Sequence, residues 1–473
     1  MSEGIARALA ELWAGVGGEP EALDSVDVAG ADPVLPSPFA VGTAAAATVA
    51  ATCLAAATLW RLRGGPADPR VRASARASAV AFRSERYLRV DGVEPSASEP
   101  LTGDYRARDG WVRLHCNYPN HRGAVLRALG LSETSGTDMV AAAVSGRGAV
   151  EFEDAVHAAG GAAAALRTPT QWAEHPQSAA VASLPLVAID RLADASPRGL
   201  TRGQRPLGSV RVLDVTRVIA GPVAGRTLAS HGADVLRVGA DHLPLVAPLV
   251  IDTGFGKRFC HIDLRAEQGR ATLRSLVAEA DVVLQAYRPG ALARIGLGPA
   301  DCAAIRPGLV YIDISAWGQD GPWRERRGFD SLVQMACGNA HQGRLAAGDP
   351  DGRPRPLPAQ VLDHSTGFLA AFGAIEALRR QQQLGGSWHV AVSLARTARW
   401  LDGLGRVPDG LSTPDPGVDD VADLLDEAQT PFGLVSHVRA PGTIDGADPR
   451  WDTPPHRPRA DPPTWLTLPT PSA

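Results

Sequence analysis

Residues 357–367 read Leu357-Pro358-Ala359-Gln360-Val361-Leu362-Asp363-His364-Ser365-Thr366-Gly367. Directly after them Phe368, Phe372, Ile375 and Leu378 recur at helical spacing, Arg379, Arg380 and the glutamines from Gln381 fill the last turns, and Gly385-Gly386 stop the run. A long apolar helix follows, with one aspartate at its mouth. There the free amides and the positive end of the helix dipole favour a carboxylate, so Asp363 is expected to be ionised near neutral pH. An N-cap role would also account for an aspartate at this place. Ser365 and Thr366 could cap equally well, which leaves Asp363 free for chemistry.

Upstream of this stretch the chain alternates. A buried strand over 210–215 leads to Gly221-Pro222, which opens a helix ending at His231-Gly232, and 234–238 is the next strand. A helix over 267–279, a strand over 281–284, a short helix over 299–305 and a strand over 309–315 continue the pattern. Such βαβ units build a parallel α/β sheet that binds ligands at its strand C-termini. The first turn, Thr216-Arg217-Val218-Ile219-Ala220-Gly221-Pro222, has no GxGxxG, which disfavours a dinucleotide or a P-loop nucleotide. Its helix start can still receive an anion or a thioester carbonyl.

The remaining chain divides by composition. Residues 1–100 hold an Ala-rich helix, 101–197 a small α+β domain, 205–400 the large α/β domain and 401–473 an extended tail, with a linker over 196–207. In the small domain a strand over 110–115 precedes a helix over 122–129 closed by Gly130, with further short helices over 151–159 and 169–174. The tail is expected to lie along the surface of another domain, with one helix near 421–427 and, past 454, disorder as the alternative. Leu35-Pro36, the Ala-rich helix and Gly64-Gly65 loosely repeat Leu357-Pro358, the Asp363 helix and Gly385-Gly386. The segment Pro38-Phe39-Ala40-Val41 has nothing that could ionise, so that copy is expected to be chemically silent.

A net charge of −4 over 473 residues gives no general attraction to nucleic acid or an anionic membrane. The five cysteines are scattered and never spaced as CxxC, which fits a reducing cytoplasm and no zinc site. His115, Cys116 and His121 lie close together, but neighbours in a strand point to opposite faces, so structural use is expected and no metal. The N-terminus lacks the basic start of a signal peptide. Residues 39–60 carry no charge, but ten of the 22 are alanine and four threonine, which favours a buried packing helix over a membrane span. Lys257 is the only lysine among 47 lysines and arginines, and a flexible point charge suits a phosphate or a developing anion.

Residues 210–401 resemble the class III CoA-transferase family, which includes formyl-CoA transferase, carnitine CoA-transferase and α-methylacyl-CoA racemase. The motifs that carry the likeness come in the family's order: Val212-Leu213-Asp214, Ala220-Gly221-Pro222, Gly232-Ala233-Asp234-Val235, Gly256-Lys257-Arg258, Arg288-Pro289-Gly290, Gly296-Leu297-Gly298, Trp317-Gly318-Gln319-Asp320-Gly321-Pro322 and the Asp363 segment. The first half resembles the part that normally follows the catalytic aspartate, through 105–111 and 168–172, and 451–465 resembles the family's tail. The order is therefore rearranged or fused.

The resemblance implies a Rossmann-like large domain with a small α+β domain, interlocked as a homodimer whose tail wraps a partner. It also implies an acyl-CoA donor and a carboxylate acceptor as substrates, no permanently bound cofactor, and Asp363 in the nucleophile's place. Lys257 and Arg258 match positions near the CoA phosphates and adenine; Tyr287, Ala291 and Arg294 fall in the adenine-pocket segment; Ile219 lies on the loop facing the thioester. Phe329 stands where the racemase branch has a histidine, so transfer is expected over racemisation. Ala286 and Gly239 depart from the family's usual asparagine and acidic residue, and the glycine-rich lid of formyl-CoA transferase is not found. Beside the racemase alternative stands a catalytically silent acyl-CoA-binding protein.

Overall fold

A computed structural model describes residues 1–96, 99–199 and 203–466. Of the expected linker, residues 200–202 lie outside the described residues, as do 467–473 of the tail.

The centre is a seven-stranded sheet in the order Lys257–His261, Asp234–Gly239, Arg211–Asp214, Val282–Gln285, Val310–Ser315, Ser387–Ser393 and Ala188–Ala193. The first six are parallel, and the last joins antiparallel at the edge. Runs such as Val282–Gln285 and Val310–Ser315 are buried at every position, as strands covered on both faces must be. The expected α/β class is therefore present. The edge strand, however, comes from before the linker, because a chain segment that turns back can pair there without a crossover.

The Ala-rich helix is Val41–Leu62, buried along nearly its whole length. It packs against the Asp363 helix, Val361–Leu384, and against Glu3–Gly15. It is long and apolar enough to cross a membrane, but 94% of that apolar window lies inside the protein. Alanine on all its faces lets neighbours approach closely, and buried threonines turn their hydroxyls onto backbone carbonyls: Thr48 onto Ala44 at 2.9 Å and Thr52 onto Phe368 at 3.2 Å. Core residues from this region and from 187–404 form one continuous cluster.

The small domain has its own core around Val112, Leu114, Val125 and Phe152 under the antiparallel strands Gly103–Arg106, Trp111–Leu114 and Ala163–Ala165. Its helix Pro119–Leu129 closes on Gly130 at φ 70°, a left-handed position that glycine adopts without strain.

The tail departs from expectation in one stretch. The helix expected near 421–427 is a 3-10 helix over Asp419–Leu424, and Leu425–Thr430 is instead a strand hairpinned to Gly433–Val438; the acidic, exposed positions of an edge strand hide its period. The rest of the described tail runs, as expected, along the surface of another domain. It lies on its own large domain: the Trp451 indole donates to Arg226 O at 3.0 Å, the Trp465 indole donates to Leu276 O at 3.1 Å, and Asp461 accepts from the Phe259 amide at 2.7 Å.

Candidate active site

A cleft of about 550 Å³ opens at the C-terminal ends of the central strands. Its floor is the start of helix Ala220–Ser230, its walls are 286–291 and 314–316 from the sheet and 324–329 from the following loop, and Asp363 stands inside it. The small domain closes the remaining side with Tyr118, Asn120 and His121. Two contacts hold that domain there. The ring of His115 stacks on Phe329 at 3.5 Å, and Arg326 pairs with Asp154 at 2.6 Å and Glu153 at 3.4 Å.

The start of the Asp363 helix is held by a second aspartate. One Asp330 oxygen accepts from the amides of Leu362 at 2.8 Å and Asp363 at 2.9 Å, the other from Gln334, whose own oxygen accepts from the Leu357 amide at 2.7 Å. Ser365 and Thr366, expected as alternative caps, lie inside the helix. Asp330 does the capping, so Asp363 does not have to. The sequence signal was present in Gly328-Phe329-Asp330, but only the folded chain brings 330 and 363 together.

Asp363 is 7% exposed, and its carboxyl is raised well above the ordinary carboxylate range by burial, then by the charges of Asp330 and Glu85. Burial and two like charges thus oppose the ionisation expected from the helix dipole. Two carboxylates sharing one helix start repel, and the dipole's favour is already taken by Asp330. Asp330 itself is raised to about 6 by burial, against the hydrogen bonds that oppose it. A carboxylate so poorly solvated is the more basic once its proton leaves, which suits a nucleophile.

Of the other anticipated residues, Ile219, Tyr287 and Ala291 line the cleft. Lys257 does not. Its ammonium is 1% exposed and bound between Asp214 at 2.8 Å and Pro222 O at 2.7 Å, inside the sheet–helix interface. Desolvation lowers it to about 8, against the pull of Asp214. A cation spent on a buried partner cannot also reach a phosphate. Arg258 is likewise committed, to Asp234 at 2.9 Å and to the tail carbonyl of Thr464 at 2.6 Å. Arg294 is exposed on the short turn Ala293–Ile295, away from the cleft lining.

The cations that do line the cleft are Arg217, Arg288, Arg324, Arg326 and Arg327. Among the described residues Arg217, Arg288 and Arg327 have no carboxylate partner. Burial, and Arg288 nearby, lower Arg327 from its usual value. On the same wall Val218 sits at φ 74°, a conformation costly for a β-branched side chain and typical of strained functional loops. It places Ile219 and the first amides of the helix toward the cleft. His121 also faces in, neutral because burial lowers it to about 4. Sequence reasoning passed over these arginines because arginine is common throughout the chain.

Residues 207–404 match the family described as CoA-transferase family III. The chain is 33% identical over 194 residues to "Probable fatty acyl-CoA transferase Rv3272" of Mycobacterium tuberculosis, covering 38% of this chain and 48% of the relative. It is 36% identical over 199 residues to "Succinyl-CoA--D-citramalate CoA-transferase" of Chloroflexus aurantiacus, covering 39% and 48%. To "Acyl-CoA transferase" of Gibberella moniliformis it is 27% identical over 435 residues, 83% of this chain and 76% of the relative. The chain thus spans about half the length of the first two relatives and more of the third.

Proposed function

We propose, from the match of residues 207–404 to CoA-transferase family III and the likeness to named CoA-transferases, that the chain moves CoA between carboxylic acids, with Asp363 as the covalent nucleophile. The observation that carries the reading is the placement of Asp363: buried, uncapping, and in the same cleft as a helix start and unpaired arginines.

The steps balance without a redox partner. The Asp363 carboxylate attacks the thioester carbonyl; the C–S bond breaks, giving a mixed anhydride and CoA thiolate. The thiolate then attacks the aspartyl carbonyl, forming an aspartyl-CoA thioester and releasing the donor acid. The acceptor carboxylate attacks that thioester, breaking its C–S bond to give a second mixed anhydride and CoA thiolate; the thiolate attacks the acceptor's acyl carbonyl, forming the new acyl-CoA and releasing the Asp363 carboxylate. One difficult exchange becomes several easier ones. Ile219 and the helix start behind it would face the thioester oxygen, where amides without an i−4 partner can stabilise developing charge. Tyr287 and Ala291 would flank the nucleotide end. Arg217, Arg288 and Arg327 supply charge for CoA phosphates and for acids such as those named in the succinyl-CoA relative. The cytoplasm, where acyl-CoA and free thiols coexist, is the proposed setting.

Incubation with a panel of acyl-CoAs, followed by mass spectrometry, tests this. A CoA adduct on the Asp363 peptide that hydroxylamine removes is expected; no adduct with any donor would sink the reading. One observation favours a second reading, acyl-CoA racemisation: His121 brings a neutral imidazole into the cleft that Phe329 denies it. Deuterium wash-in at the α-carbon of a 2-methylacyl-CoA separates the two, and negligible exchange is expected.

A further inference from the structure

The two stretches of the loose repeat share their local geometry. Val26–Ala29 runs parallel to Val71–Ser74, as Val310–Ser315 does to Ser387–Ser393. Between each pair comes Gly-x-Asp, 30–32 in one copy and 328–330 in the other, and then a long helix. The residues opening those helices are nearly superposable: Ala40 at φ −77°, ψ 63° and Gln360 at φ −76°, ψ 60°. Asp32 accepts from the amides of Gly42 and Thr43 at 2.8 and 2.7 Å, as Asp330 does from Leu362 and Asp363. Each second strand ends on a serine, Ser74 or Ser393, that caps the next helix.

By this correspondence of caps Thr43 stands in the place of Asp363. Helix Glu3–Gly15 lies over it, so close that a Cβ on Gly4 would stand 3.8 Å from its hydroxyl. The first copy has a complete cap and no nucleophile. What it does supply reaches the other copy. From the short helix Ser84–Tyr87, Glu85 meets His364 at 3.1 Å, one residue from Asp363, while Phe82 stacks on both His364 and Phe368. Ser84, bonded to Asp252 at 2.8 Å, anchors that turn to the large domain.

We propose that the silent copy serves the catalytic one as a built-in partner, and that Glu85 is its positioning residue, fixing His364 and with it the turn that carries Asp363. The inference rests on Asp363 being the reacting group. Glu85 is one of two carboxylates whose charge raises Asp363, the other being Asp330 from helix Asp330–Ala336. The cleft faces Asp363 with Arg217, Arg288 and Arg327, and the other elements packed on its helix carry further titratable groups. Arg226 of Ala220–Ser230 is bound to Asp252, His389 of Ser387–Ser393 to Asp313, Arg396 of Leu394–Gly403 donates to Leu184 O, and the Ala-rich helix brings Cys53 and Arg61 on its later turns.

The test is an infrared titration of the full chain, with the Asp363 band assigned by its loss in Asp363→Asn. In Glu85→Gln the midpoint of that band is expected to move to lower pH, and kcat to fall with KM for acyl-CoA unchanged. Glu85→Asp keeps the charge but withdraws it by one methylene, so a smaller shift in the same direction is expected should the glutamine variant fail to fold. An unmoved midpoint in whichever variant folds overturns the proposal. Because the band is read without turnover, that failure is distinct from failure of the transferase reading.

Discussion

Asp330 holds the amide of Asp363 at 2.9 Å while its own negative charge pushes the Asp363 carboxyl toward protonation. One residue thus orients the other and opposes its ionisation. Mechanism and stability are coupled at this helix start.

The first consequence concerns Asp363→Asn. A carboxyl raised in the folded state binds its proton more tightly there than in the unfolded chain, so its stabilising contribution is full below the unfolded value and is lost as pH rises through the folded one. The asparagine variant has no such loss. Its melting temperature relative to the parent should therefore increase with pH, while transfer falls by several orders of magnitude. Paired melts at acidic and mildly alkaline pH check this; a variant that melts lower at every pH would make Asp363 structural.

The two caps form a matched experiment. Asp32→Ala and Asp330→Ala should each cost about 0.5–2 kcal/mol of stability, the usual range for a lost cap. Only the Asp330 change should reduce transfer and move the pH profile, to lower pH, since it also removes a like charge from beside Asp363. Denaturant melts and steady-state rates measure both. Equal effects on rate would break the distinction between silent and active copies.

Lys257 is a stability residue. Lys257→Met leaves Asp214 charged and unpaired at 0% exposure, which should cost about 3–5 kcal/mol. The double variant with Asp214→Asn should recover part of it, and CoA affinity measured on folded protein should be unchanged. Weakened binding in the folded variant would put Lys257 back at the phosphates.

Close helix packing sets the height of the nucleophile. A Cβ on Gly367 would stand 2.6 Å from Ala220 O and 2.9 Å from the Val223 side chain, so the Asp363 helix crosses Ala220–Ser230 almost backbone to backbone. Gly367→Ala should cost about 1–3 kcal/mol and lower kcat by displacing Asp363 from the cleft floor. A melt and an adduct assay would show it; wild-type values in both would mean the contact yields freely.

The sequence determined by itself what depends on local order: the alternation of 210–315, the Asp363 helix with its glycine stop, and the burial of the uncharged run 39–60. Periodicity and turn residues are local properties. Tertiary structure alone decided what depends on distance between remote residues. It spent Lys257 on Asp214, brought Asp330 to the amide of Asp363, raised that carboxyl by burial and by Glu85, and laid the described tail on its own chain. The strength and sign of an electrostatic interaction follow from separation and solvent exposure, and neither exists until the chain has folded.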